Sequence, residues 1–382
     1  MGSAACYHLA RRGKRVLGLE RYDIPHAMGS SHGVNRIIRL AYYEHPSYVP
    51  LLRRAYELWR ELESGFGERL LHITGSVDAG PADSQVFVGS RESCKLHGLP
   101  HEVLTSAEVT ARFPGYRLPE GHMAVFQPEG GHVMSERAIV AHVGAALELG
   151  AEVHGRERVI GWEETAGGVR VETDRGVYEA EQLVIAAGAW MGALVPELAG
   201  LAVPERQVLG WFQPTRPADF APDRFPVFNL TVEEGRYYGF PVHSVPGFKI
   251  GRYHHLDEVI DPDGWEREPN LADEAILRAV VSRYFPGADG PALTLRSCLF
   301  TNTPDEHFIV DRLGGGSPVV VASPCSGHGF KFSAVIGELL ADIVVDGLPS
   351  PDIELFRLSR FGAADAGSER SKGLAESSPT AR

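Results

Sequence analysis

The chain contains no run of about 18 apolar residues that could span a membrane. No charged-then-apolar leader opens it. Basic residues are not in excess: 37 Lys and Arg stand against 50 Asp and Glu, for a formal net charge of -13. That balance disfavours nucleic acid as the main partner, although local basic groups can still hold a small anion. Cysteine is scarce. Cys6, Cys94, Cys298 and Cys325 form no CxxC pair and no metal-ligand spacing, and four are too few for a disulfide framework. None of the 16 histidines falls in an HExxH or similar pattern, so no metal is expected. No internal repeat is visible. These absences together predict a cytoplasmic protein that handles small molecules, with no membrane and no nucleic-acid partner.

What is present is 382 residues with 43% hydrophobic content, enough for a large core and two domains. The opening stretch "MGSAACYHLARRGKRVLGLERYD" places Gly2 before a small-residue helical run over 3–12. Gly13 ends that run, and an apolar stretch at 15–19 closes on the acid Glu20. The pattern is the helix, second strand and ribose-binding acid of a dinucleotide-binding unit. A first strand and the first two glycines of GxGxxG do not precede it. Two expectations follow: either the reading frame continues upstream of Met1 into an apolar strand and a Gly-x-Gly turn, or the chain is a degenerate form that holds its dinucleotide poorly.

Apolar residues at helical spacing predict helices over 51–62 and 136–150. Alternation at 169–173 predicts a half-buried strand, and the wholly apolar run 183–187 a buried parallel one, with Gly188 behind it free to approach a ligand closely. From 205 to 295, short strands punctuated by Pro and Gly, with one helix near 272–284, predict an antiparallel sheet domain. The stretch "GGGSPVVVASPCSGHGFKFSAVIGELLADIVVDG" then returns to strand, glycine turn and helix, so the nucleotide-binding domain is discontinuous. The small polar tail, 362–382, predicts disorder.

The ordered blocks "GSSHGVNRIIRLAY", "AAGAW", "RYYGFPVHSVPGFKIGRYHH", "CLFTNTPDEHFIVD", "CSGHGFKFS" and "FRLSRF" resemble the monomeric sarcosine oxidase and N-methyltryptophan oxidase family, from residue 1 to about 361. The resemblance implies an α/β glutathione-reductase-like FAD-binding domain from 1–75, 130–205 and 296–361, and a mixed or antiparallel sheet substrate domain from 76–129 and 206–295. It implies a monomeric FAD enzyme that oxidises small N-methyl amino acids to amino acid, formaldehyde and hydrogen peroxide, with oxygen as acceptor. Oxidation of cyclic imino acids such as pipecolate, and a non-catalytic flavin-fold protein, stand as alternatives.

Carried over residue by residue, the resemblance assigns Cys298 a thioether link to the flavin. A free cysteine otherwise reads as a small buried hydrophobe, and Cys325 before its glycine turn is a decoy. Arg39 and Lys331, set among aromatic and aliphatic neighbours, pair on the substrate carboxylate, since a bare charge there would be costly. Lys249 in "GFKIG" gives a fixed cation where oxygen is reduced. Gly2, Glu20, Gly188, Gly327 and Gly329 hold the dinucleotide. His32 and Arg36 lie near the flavin ring, and Tyr238 lines the substrate pocket. The family has a histidine four residues after the lysine, where this chain has Tyr253 with His254 next; which of the two meets the substrate stays open, because neighbours on a strand point to opposite faces. Asp305 and His307 read as structural.

Overall fold

The computed structural model of the chain describes residues 1–347 and 353–362. The helix Gly2–Arg11 is built from small residues, and it ends at Gly13, whose φ of +73° reverses the chain. Small residues let it pack closely on Ser333–Asp346: a Cβ added to Gly337 would stand 2.5 Å from the Ala4 Cβ. Its other side meets the helix Ser135–Glu148. Strand Leu17–Leu19 pairs in parallel with Glu152–His154. Strand Leu183–Ile185 pairs in parallel with Val319–Ser323, and that strand pairs antiparallel with Ile309–Arg312. Among the described residues no ladder joins these two groups, and a cavity opens between them.

The second layer is an eight-stranded sheet. From one edge its order is Ala292–Asn302, Val203–Phe212, Phe248–Arg252, Gly235–Phe240, Val227–Val232, Ser76–Pro81, His122–Gln127 and Glu102–Thr105. An aromatic cluster fills one face, with Tyr116 stacked on Phe225 at 4.4 Å between ring centroids. The expected α/β fold with an added sheet is what the chain forms.

The strands of 205–295 pair antiparallel as expected, and the parallel ladder of the large sheet joins Val227–Val232 to the distant Ser76–Pro81. Two expectations change in detail. The expected boundary at 296 falls inside the strand Ala292–Asn302, which pairs with Val203–Phe212 along nearly its whole length, so the block carrying Cys298 is an edge of the large sheet. The helix predicted over 51–62 runs Tyr48–Phe66 and stops at Gly67, whose φ is +72°. No helix among the described residues is long and apolar enough to cross a membrane. The tail expected to be disordered lies outside the described residues from 363 on.

Candidate functional site

A cavity of about 1100 Å³ runs from the first helix to the large sheet. At one end it is lined by Met1, Gly2 and Glu20. The helix start has no side-chain cap, so its first N–H groups and positive dipole end face the cavity, as an anion requires. A Cβ placed on Gly2 would meet nothing within 4 Å. Glu20 follows the strand Leu17–Leu19, and its Oε1 accepts the Tyr22 backbone N–H at 2.8 Å. Gly188 also lines the cavity, with φ of +55° and open space where a side chain would stand. Gly327 and Gly329 form the turn beneath. A Cβ on Gly327, at φ +75°, would come within 2.6 Å of the Phe300 ring. One on Gly329 would overlap the Pro324 carbonyl oxygen at 1.6 Å. Only glycine closes this turn, which delivers Lys331.

Cys298 lines the cavity further along and is buried. Arg36 Nη2 lies 3.5 Å from its Sγ and also donates to the Ser30 carbonyl at 2.7 Å. Burial opposes the thiolate, but His32, through a hydrogen bond and its charge, and then the Arg36 charge outweigh it and bring the thiol down to about 7. Of the two neighbours, Arg36 carries a permanent charge, and His32 Nε2 forms no hydrogen bond of its own. Cys325 also lines the cavity, yet burial pushes its thiol up. The two thiols are therefore unlike: the neighbours of Cys298 lower it toward neutral pH, and burial raises Cys325.

The third group surrounds Arg39, which is 1% exposed. Its Nη2 donates to both Glu44 oxygens at 3.0 and 2.9 Å, Nη1 donates to the Ala41 carbonyl at 3.0 Å, and Nε lies 3.5 Å from Asp78 Oδ1. The Tyr42 and Tyr43 rings cover the guanidinium, 4.5 and 4.3 Å from its carbon. Burial opposes the Glu44 charge, but Arg39 overcomes it and holds the carboxyl at about 2. Asp78 is different: burial raises it to about 6 despite Arg39 and hydrogen bonds from Asn229 and Ser90. Lys331 sits beside this group, and its Nζ donates to the His328 carbonyl at 2.6 Å. Burial and the Arg39 charge lower it to about 7. It forms no ion pair among the described residues.

The structure turns Tyr253 toward the cavity, under the Arg236 guanidinium at 3.9 Å and against Tyr238 at 5.2 Å. His254 turns away. It pairs with Glu205 at 3.0 Å and Glu306 at 3.0 Å, which raise it to about 9, and it does not reach the cavity wall. Of the two residues left open, Tyr253 therefore lines the cavity, and His254, a candidate for the catalytic set, does not. Its φ of +50° is the cause: the strand ends at Arg252, so simple alternation no longer sets the direction of the side chain.

Lys249 and His32 lie one layer behind the wall. The Lys249 Nζ donates to the carbonyls of Gly33 at 2.7 Å and Asn35 at 2.8 Å and to Asn35 Oδ1 at 2.9 Å. Burial pushes its pKa well down, but three acceptors use all three protons of the ammonium form. Asp305 and His307 serve structure, through Arg360 at 2.7 Å and the Tyr48 hydroxyl at 3.1 Å. Sequence reading missed Glu44 and Asp78. The signal for Asp78 was a lone acid inside the apolar strand "SVDAG"; Glu44 had only its place five residues after Arg39.

A glycine-lined cavity that begins at a helix N-terminus and ends at buried cations is what a dinucleotide-using oxidoreductase needs. Residues 1–343 match the family model for FAD dependent oxidoreductases. The chain is 39% identical over 372 residues to a monomeric sarcosine oxidase of Streptomyces avermitilis, covering 96% of each chain. It is 37% identical to an N-methyl-L-tryptophan oxidase of Salmonella typhimurium, over 94% of this chain and 96% of the relative. Among solved structures, the open form of NikD, an unusual amino acid oxidase essential for nikkomycin biosynthesis, superposes with a TM-score of 0.81 at 25% identity, covering 93% and 94% of the two chains. An L-proline dehydrogenase from P. horikoshii shares the fold, with a TM-score of 0.80 at 22% identity over 94% of each chain. The chain belongs to the FAD-dependent oxidoreductases and, within them, to the family of monomeric sarcosine oxidases and N-methyl-L-tryptophan oxidases. The residues present fit an FAD: open space at Gly2 and Gly188, an acid at Glu20, and a thiol at the far end.

Arg39 and Glu44 form a buried pair, so removing one partner strands the other. Arg39→Met is expected to cost about 3–5 kcal/mol of folding stability, and adding Glu44→Gln to recover most of it. Urea unfolding of the two variants measures both effects, and an Arg39→Met single variant as stable as the parent would refute the pairing.

Proposed function

We propose that the chain oxidises small N-methyl amino acids, releasing formaldehyde, the primary amino acid and hydrogen peroxide. One observation carries this reading. Lys331 is a buried cation on the cavity with a backbone carbonyl as its hydrogen-bond acceptor, beside an arginine already flanked by two carboxylates. Among the described residues Lys331 has no carboxylate partner of its own, and a substrate carboxylate would supply one.

The chain's own residues then do four things. Lys331 and Arg39 hold the carboxylate, the guanidinium fixed in place by Glu44 and Asp78. Tyr238, Phe240 and Tyr253 form an aromatic wall that keeps water from the reacting carbon. Cys298 tethers the cofactor, since its lowered thiol pKa supplies the nucleophile that Cys325 lacks. Lys249 provides a fixed positive charge behind the wall, where electron transfer to oxygen creates negative charge. Gly2, Glu20, Gly188 and the 327–329 turn would hold FAD, which when bound would supply the hydride acceptor and the route for electrons to oxygen. Water completes the sequence by hydrolysing the substrate imine. The free thiols of Cys6, Cys94, Cys298 and Cys325 suit the reducing cytosol, where we place the protein.

Peroxide and formaldehyde release across a panel of N-methyl and cyclic amino acids tests the reading. Equal yields of both products from an N-methyl amino acid are expected; turnover of pipecolate or proline alone, without formaldehyde, would replace it.

The clamp also has a pH signature. A bound carboxylate raises the pKa of Lys331 from about 7 and of Asp78 from about 6, so binding takes up protons. Affinity for propionate, followed by the absorbance of the bound flavin, is expected to be full at low pH and to fall as pH rises through 6–8. Lys331→Met should lower the affinity and flatten the curve above pH 7. A pH-independent parent would remove Lys331 from the clamp.

For the tether, acid-precipitated protein is expected to keep its yellow chromophore. Cys298→Ser should release it and Cys325→Ser should not. The reverse pattern would move the link to Cys325.

A further inference from the structure

Away from the cavity, three histidines converge from separate parts of the chain. His72 lies on the strand Leu71–Ile73, directly across the ladder from His132 on Gly131–Met134. His243 approaches from the turn after Gly235–Phe240. Their ring centroids stand 5.2 Å (72–132), 4.4 Å (72–243) and 4.7 Å (132–243) apart, and one nitrogen from each lies within 4.8 Å of the other two. His132 is fully buried, and neither of its ring nitrogens has a hydrogen-bond partner. A buried imidazole with two unmet polar atoms is costly unless something satisfies it.

We propose that His72, His132 and His243 form a binding site for a divalent transition-metal ion of the zinc class, with water completing the coordination. Three imidazoles and an open position match zinc, and suit copper or nickel as well. Tetrahedral bonds of about 2.0–2.1 Å bring the nitrogens to about 3.3 Å apart. The half-exposed rings of His72 and His243 supply that closure by side-chain rotation, and their exposure gives the ion its path in. The Arg69 backbone orients His72, as an outer partner of a metal-bound histidine does. Burial and mutual proximity lower His132 to about 2, burial lowers His243, and burial with His243 lowers His72. All three are thus neutral at pH 7, the form that ligates. Lys249 and Arg69 oppose a cation there, and Glu63 favours one. No sequence spacing announces this set, because only the strand pairing and the turn at 241–245 bring positions 72, 132 and 243 together.

The test is calorimetric titration of the tag-free, flavin-loaded protein with zinc chloride at pH 7.5, with zinc-edge absorption to identify ligands. One ion per chain with three imidazole ligands is expected. His72→Ala and His243→Ala, both at half-exposed positions, should each weaken binding by more than about tenfold. His101→Ala, just before the edge strand Glu102–Thr105 and outside the three-histidine cluster, should leave it unchanged. Intact flavin content and melting temperature establish that the variants fold. Zinc binding of equal affinity in both variants, or no binding by the parent, would overturn the site.

Discussion

Arg39 is the charge around which the substrate end of the molecule is arranged. A guanidinium that is 1% exposed cannot stay in a protein interior without compensation, and its neighbours follow from that requirement. Glu44 answers it from the same segment, Asp78 from the large sheet, and the rings of Tyr42 and Tyr43 at 4.5 and 4.3 Å. Asp78 lies on a strand of the large sheet, while Arg39 directly follows the strand Asn35–Ile38 of a different sheet. One ion-pair group therefore ties the large sheet to the three-stranded sheet of Asn35–Ile38, Gly131–Met134 and Leu71–Ile73. Lys331 enters through the glycine turn at 327–329, and its depressed pKa records first its burial and then the Arg39 charge beside it.

The same logic separates the two cavity thiols. Both are shielded from water, and burial alone raises a thiol. Cys298 escapes because His32 and an Arg36 held by the Ser30 and Asn35 carbonyls stand against it. At Cys325 the Ser323 hydroxyl and the N-terminal ammonium do not outweigh burial, and its thiol stays raised. Reactivity here is a property of the neighbour rather than of the cysteine.

Much of this was legible in the sequence because local rules govern it. The first helix, the acid after the second strand, and the glycines at 188, 327 and 329 sit where backbone geometry and dipole direction put them. The small residues that let the first helix meet Gly337 are also visible in the letters alone. Less legible was everything set by pairing between distant segments. The parallel union of Val227–Val232 with Ser76–Pro81 needs knowledge of both strands at once. The exchange of Tyr253 for His254 on the cavity wall depends on one backbone angle beyond the strand end. Glu44 and Asp78 were overlooked because acids near an arginine look like ordinary surface charge until burial is known.

The strand Ala292–Asn302 is at once the edge of the large sheet and the wall that presents Cys298. A dinucleotide anchored at Gly2 and joined to that strand would act as a strut between the layers. Force applied at either end would pass into a ladder of paired backbone bonds extending almost the full length of Val203–Phe212, rather than into a loop. Any relative rotation of the two layers would have to stretch the strut or shear that ladder. The cofactor, so placed, would set the mechanical stiffness of the whole molecule.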